Sequence, residues 1–142
     1  MATRIRFDDV KVGEEFPERS NVLDRAQLVQ YAGASGDFNP IHWDEEFARR
    51  VGLPGVISHG MFTMALLARM VGEWTGDPGA VQRISVQFRK EVRPGETVVA
   101  RGRIAEKDDE ARTVRLELWA EVEREGQVIQ PIKNGEALVR LD

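Results

Sequence analysis

The chain contains no cysteine, which removes disulfides, thiolate nucleophiles and cysteine-ligated zinc together. Histidine is scarce, with two among 142 residues, so any imidazole chemistry rests on His42 and His59. Basic charge is not in surplus: 20 Lys and Arg face 24 Asp and Glu, a formal net charge of −4. A nucleic-acid partner, which leaves a basic footprint on the protein that binds it, is therefore not expected. No apolar run approaches the roughly 20 residues of a membrane span. Residues 1–10 also lack the apolar core of a signal peptide. These shortages predict a cytoplasmic protein that contacts neither membrane nor nucleic acid. What the chain does have is an ordinary globular composition, 42% hydrophobic and 31% charged, in a length that suits one domain with one modest core.

The period of the hydrophobic pattern changes along the chain. Asp24 is placed to cap a helix over 24–32, with Leu28, Tyr31 and Ala32 on one face and Gly33 and Gly36 ending it. Asn39-Pro40 reads as a turn, because the residue before a proline avoids helix. A short helix is expected over 44–50. Over 61–74, Phe62, Met64, Ala65, Leu66, Leu67, Met70 and Val71 occupy nearly the whole circumference, which predicts a helix buried on most sides.

From Val81 the period becomes two. Ile84, Val86 and Phe88 alternate with polar residues, Arg89-Lys90-Glu91 is a candidate bulge, and Pro94-Gly95 a turn. Val98, Ala100, Gly102 and Ile104 define a second strand. Val114, Leu116, Leu118, Ala120 and Val122 define a third, and one or two more run to Leu141, interrupted by Pro131 and Asn134-Gly135. An antiparallel sheet with one apolar face, wrapped around one apolar helix, satisfies both elements. The expected fold is a single α+β domain over 1–142.

Chemistry concentrates in the segment between the helices. Asp37 and His42 stand five residues apart across the Asn39-Pro40 turn, so both side chains can face one pocket. A carboxylate beside an imidazole is a pair suited to proton transfer near neutral pH. Gly60 opens the apolar helix, whose N-terminal N–H groups and dipole can hold a developing oxyanion. Asn39 is read as tying its own turn, and His59 as orienting the loop ahead of Gly60.

The same residues carry a family resemblance. Asp37-Phe38-Asn39-Pro40-Ile41-His42 resembles the D-x-N-P-[IL]-H motif of the MaoC-like, (R)-specific enoyl-thioester hydratases and dehydratases. Ser58-His59-Gly60-Met61 resembles the H-G-M segment at the start of that family's central helix. The likeness covers nearly the whole chain, including Phe7-Asp8-Asp9-Val10-Lys11-Val12-Gly13. Within the family, Tyr31-Ala32-Gly33 through Trp43-Asp44, with Gly76-Asp77-Pro78-Gly79-Ala80-Val81, is similar to the B-type subunits of actinobacterial (3R)-hydroxyacyl-ACP dehydratases.

The resemblance implies a hot-dog fold, an antiparallel sheet wrapped around a long central helix. It implies a hydro-lyase that adds or removes water at the C2–C3 bond of an acyl thioester with (R) stereochemistry. The substrate would be acyl-ACP in type II fatty-acid elongation, or acyl-CoA in β-oxidation or polyester precursor supply. Asp37 and His42 become the catalytic pair, Gly60 N–H the oxyanion donor, and Asn39 and His59 their support. Which member of the pair is acid and which base stays open, because coupled groups titrate together. No metal and no cofactor is implied. Ala68 stands where the family often carries a serine.

Hot-dog chains normally pair, so the resemblance also implies a homodimer or a heterodimer with a second hot-dog subunit. Arg49, Arg50, Arg69, Arg83, Arg89, Lys90 and Arg93 include candidate contacts to a phosphopantetheine or an acidic carrier protein, while Trp74 and Trp119 read as packing residues. Two rival readings remain. A hot-dog thioesterase often places its acid in the central helix, where this chain offers only Glu73 near the far end. A non-catalytic acyl-binding subunit predicts a damaged motif, and Asp37 and His42 both stand.

Overall fold

The structure, a computed structural model, describes residues 3–142. After a short 3-10 turn at Phe7–Asp9 and strand β1, Arg19–Val22, the chain enters helix α1, Arg25–Ser35. Asp24 starts α1 with a capping box: its Oδ1 accepts from Gln27 N at 2.8 Å, and Gln27 Oε1 accepts from Asp24 N at 3.4 Å. Helix α2, Glu45–Arg50, is capped by Asp44 alone, whose side chain accepts from Phe47 N. Helix α3, Gly60–Thr75, ends at Gly76 with φ of 67°. Only glycine fits there, since that conformation disfavours L side chains and a Cβ would lie 2.8 Å from the carbonyl of Thr3.

Four more strands follow: β2 Val81–Phe88, β3 Thr97–Asp108, β4 Thr113–Arg124 and β5 Gln127–Arg140. They join β1 in one sheet of order β1-β3-β4-β5-β2, antiparallel throughout. α3 packs against all five. Alternation decides which face meets it. Val114, Leu116, Leu118, Ala120 and Val122 of β4 are all buried, as are Val98, Ala100 and Ile104 of β3. Leu67, Met70 and Val71 of α3 close the core against them. Full burial of each Val, Leu, Ile or Met side chain among these stabilises by about 1.5–3 kcal/mol. This is the sheet wrapped around a helix that the period change predicts, and it matches the hot-dog fold that the resemblance implies.

Several local expectations are corrected. The N-terminal third contributes β1, an edge strand whose sequence Arg19-Ser20-Asn21-Val22 has no apolar alternation to betray it. α1 continues through Gly33 to Ser35 because the left-handed Gly36 is its terminator. No bulge forms at Arg89-Lys90-Glu91: β2 ends at Phe88, and its register slips earlier, between Val81 and Arg83 and between Ser85 and Gln87. The last segment is one strand, in which Pro131 and Asn134-Gly135 sit within β5. Its register against β4 shifts between Leu118 and Ala120 and between Ala120 and Val122. α3 is not covered all round, since Met61 is 56% exposed and Ala65 and Arg69 are open beside it. Among the described residues no helix is long and apolar enough to cross a membrane.

Candidate active site

The loop between α1 and α2 is built by its own side chains. Asp37 Oδ1 accepts from Asn39 N at 3.2 Å, and Asn39 Oδ1 accepts from Ile41 N at 3.2 Å. Pro40 then takes the first position of a 3-10 turn, Pro40–His42, where its fixed φ suits the turn and its missing N–H costs nothing. Trp43 Nε1 donates to the carbonyl of Phe38 at 2.9 Å and closes the loop from outside. One turn thus returns His42 to the side that Asp37 faces. The five-residue spacing is the length of this turn.

His42 Nε2 lies 3.7 Å from Asp37 Oδ2. The two environments differ sharply: His42 is 6% exposed, while the side chain of Asp37 is 53% exposed. His42 Nδ1 is 2.7 Å from the carbonyl of Ile57. A carbonyl only accepts, so Nδ1 carries the proton and Nε2 of the neutral ring presents its lone pair towards Asp37. Burial holds the His42 pKa below the ordinary imidazole value of 6.5; the Ile57 bond and Asp37 oppose that shift, and His59 adds to it. Two acceptors facing one another at this distance suit a water that donates one O–H to each.

His59 joins this pair to α3. Its ring stacks on that of His42 with centroids 3.7 Å apart, and its Nε2 lies 3.0 Å from the carbonyl of Asp37. Gly60 follows as the first residue of α3, and His59 places no side-chain cap on it. The first N–H groups of a helix have no partner within it, so the start of α3 offers donors to an incoming oxygen. Gly60 also lines a groove with Ile57, Ser58, Phe88, Arg89 and Lys90. A Cβ on Gly60 would approach the Phe88 ring to 3.1 Å, so glycine keeps this approach open.

Asp37, His42 and His59 bring one potential ligand atom each within 4.8 Å of one another. A shared cation fits this set poorly. Even with every one of them binding, the set supplies three ligands to an ion that usually takes four or more, and His59 Nε2–H is already donating to a carbonyl.

All five sequence-predicted residues, Asp37, His42, Asn39, His59 and Gly60, belong to this one locality. The Ile57 carbonyl and Phe88 went unseen as parts of it, since a backbone acceptor has no sequence signature and Phe88 reads only as a strand residue. Tyr31, placed on the buried face of α1, meets the His59 ring edge-on at 4.8 Å. Most of the candidate carrier cations are paired elsewhere: Arg49 with Glu45 at 3.1 Å, Arg69 with Glu73 at 2.8 Å, Arg83 with Glu136 at 2.9 Å and Arg93 with Glu91 at 2.8 Å. Arg50 lies over the Phe47 ring. Arg89 and Lys90 face no carboxylate at ion-pair distance among the described residues, and both line the Gly60 groove. Trp74 stacks on Phe16 at 4.7 Å, and Trp119 Nε1 donates to Glu121 at 3.0 Å.

This sheet order around one central helix makes the chain a hot-dog protein, and its relatives make it a hydro-lyase. It belongs to the family of MaoC-like dehydratases: the family model, described as a MaoC like domain, matches residues 9–125. Over 137 residues the chain is 34% identical to a 3-hydroxybutyryl-CoA dehydratase of Methylorubrum extorquens, covering 95% of this chain and 83% of that protein. It superposes on a solved MaoC-like dehydratase with a TM-score of 0.88 at 41% identity, over 99% of this chain and 43% of the other. It therefore spans less than half of that larger protein. The (R)-hydratase of A. caviae involved in PHA biosynthesis gives a TM-score of 0.84 at 25% identity, over 94% of this chain and 98% of that one.

Proposed function

We propose that this chain is an (R)-specific enoyl-thioester hydratase, run in reverse a (3R)-hydroxyacyl-thioester dehydratase, with residues 1–142 acting as one catalytic domain. The observation that carries the proposal is the Asp37–His42 pair, 3.7 Å apart, with its imidazole proton committed to Ile57. In hydration, a water held by both groups places its oxygen against C3 of the enoyl thioester. As the C3–O bond forms, the C2=C3 electrons move to the thioester oxygen as an enolate, and the water gives a proton to the pair. The enolate oxygen is met by Gly60 N–H and the positive end of α3, a donor arrangement that commonly contributes about 3–4 kcal/mol. A proton from the pair then closes C2. Dehydration runs these steps backwards. Asn39 supports the pair by bracing the turn, and His59 by holding the loop.

The carrier is a proposal of its own. The names of the relatives favour a CoA thioester, and an acyl-ACP of type II fatty-acid elongation presents the same pantetheine phosphate. Arg89 and Lys90, with no carboxylate partner among the described residues and lining one groove with Gly60, are the cations best placed for that phosphate. The exposed apolar strip of α3 and the edge strand β2 support pairing with a second hot-dog subunit, either a copy of this chain or a different one. The cytoplasm is the compartment proposed.

The test is the product. Purified protein given trans-2-butenoyl-CoA is expected to yield (3R)-hydroxybutyryl-CoA with the thioester intact. Formation of the (3S) product overturns the stereochemical part. Release of free CoA would place the chain among hot-dog thioesterases instead.

A further inference from the structure

His59 lies outside the reaction just described, yet it is 2% exposed and touches both members of the pair. Its backbone caps α3, with its carbonyl accepting from Phe62 N at 3.1 Å and Thr63 N at 3.5 Å. N-cap side chains usually turn inward to satisfy the next N–H groups. His59 does not. Its ring is directed at the neighbouring loop, with Nε2 3.0 Å from the Asp37 carbonyl.

The acceptor is a carbonyl, so Nε2 must be the protonated nitrogen. The other ring nitrogen, Nδ1, is buried with no hydrogen-bond partner among the described residues, so the ring makes its one hydrogen bond through Nε2. The ring is also fixed in orientation. His42 covers one face at 3.7 Å and Tyr31 meets it edge-on at 4.8 Å.

We propose that His59 is a positioning residue that clamps the Asp37 backbone to the start of α3 through its Nε2–H. This proposal rests on the hydratase reading of the site. Asp37 is exposed; its loop is tied to Ile57 through Ile41 and His42, but among the described residues the other hydrogen bonds of Asp37 itself stay within the loop and its flanks. Its own bonds, to Asn39 N and from Asp37 N to Ser35 Oγ at 3.2 Å, are local. The His59 bond is the one that ties it across 22 residues to the helix carrying Gly60. The base side of the reaction and the oxyanion side are thereby held at a fixed separation. The stack does the same for His42, whose face rests on the ring that holds its partner.

The two ring nitrogens make the test selective. In His59→Gln the amide NH2 falls near the position of Nε2 and can still donate to the carbonyl. In His59→Asn the amide falls near Nδ1 and cannot reach it, and His59→Phe keeps the ring without a donor. Misplacing a reacting group by about 1 Å costs on the order of a hundredfold in rate. The Asn and Phe variants are therefore expected to lose about that factor in kcat with KM little changed, and the Gln variant to recover most of it. Phe or Asn turning over at the wild-type rate, or Gln losing as much as Phe, overturns the proposal. A second readout needs neither turnover nor a variant. Imidazole nitrogen NMR of the wild-type protein at neutral pH is expected to find a hydrogen-bonded proton on Nε2 of His59, and an unprotonated Nε2 overturns it. A wild-type protein that hydrates no thioester would remove the hydratase reading, while the nitrogen spectrum would still decide whether Nε2 carries that proton.

Discussion

His42 has one proton to place and two directions in which to place it. The Ile57 carbonyl takes it at Nδ1, so the nitrogen facing Asp37 is the basic one, and burial holds the ring's pKa below 6.5. If a bare Nε2 is the working form, the acid limb of kcat/KM is expected below pH 6.5, and an acid limb above that value contradicts its assignment to the buried His42. The same shift links to stability. Between the folded pKa and 6.5 the unfolded chain binds more protons than the folded one, so stability rises with pH across that window. This contribution is fully present above 6.5 and is lost as the pH falls through the folded value, which urea melts between pH 5 and 7 will register. Asp37 fills two roles at once: Oδ1 braces the turn as an ordinary loop carboxylate does, and Oδ2 faces His42. The motif was legible because its residue types fix one short turn. The tautomer was not, because it depends on a carbonyl fifteen residues away.

At the scale of elements, the start of α3 sets how closely a thioester can approach. Gly60→Ala puts a methyl group against the Phe88 ring. It is expected to lower kcat/KM by at least about tenfold while leaving Tm within a few degrees, since one exposed ring can give way. Combining it with Phe88→Ala should restore part of the loss; if the two effects simply add, steric closure of the groove is not the cause. Packing deeper in the sheet behaves differently. The Phe16 ring covers Gly102 of β3 so closely that a Cβ there would collide with it. Gly102→Ala is therefore expected to destabilise by about 1–3 kcal/mol, read as a lower denaturant midpoint with an unchanged slope.

The elements also separate what patterning can and cannot reveal. β4 was readable residue by residue because every second side chain is buried. β1 was not, because an edge strand paired on one side has little apolar surface to hide. Pro131 looked like an interruption of β5. The bulges around it absorb the missing donor, and its carbonyl accepts from Arg89 N at 2.8 Å and Lys90 N at 3.3 Å.

At the scale of the molecule, the helix that reads as apolar all round is covered on one side by its own sheet and left open along Met61 and Ala65. Phe88, at the end of the edge strand β2, is 51% exposed beside it. Periodicity alone could not tell intramolecular from intermolecular cover. A second subunit is expected on this side, so Phe88→Asp should shift a sedimenting dimer towards the 16.0 kDa chain. A wild-type chain that is monomeric, yet gains activity with a second hot-dog subunit, would assign the heteromeric form.

The most direct measurement is the hydration rate of a short trans-2-enoyl-CoA by the purified chain, beside Asp37→Asn and His42→Ala. A positioned acid–base group contributes about 10²- to 10⁴-fold. Each variant is expected to lose a factor in that range while its melting curve stays cooperative. Hydration by the wild type that persists at a similar rate in either folded variant would contradict the assignment of the chemistry to this pair.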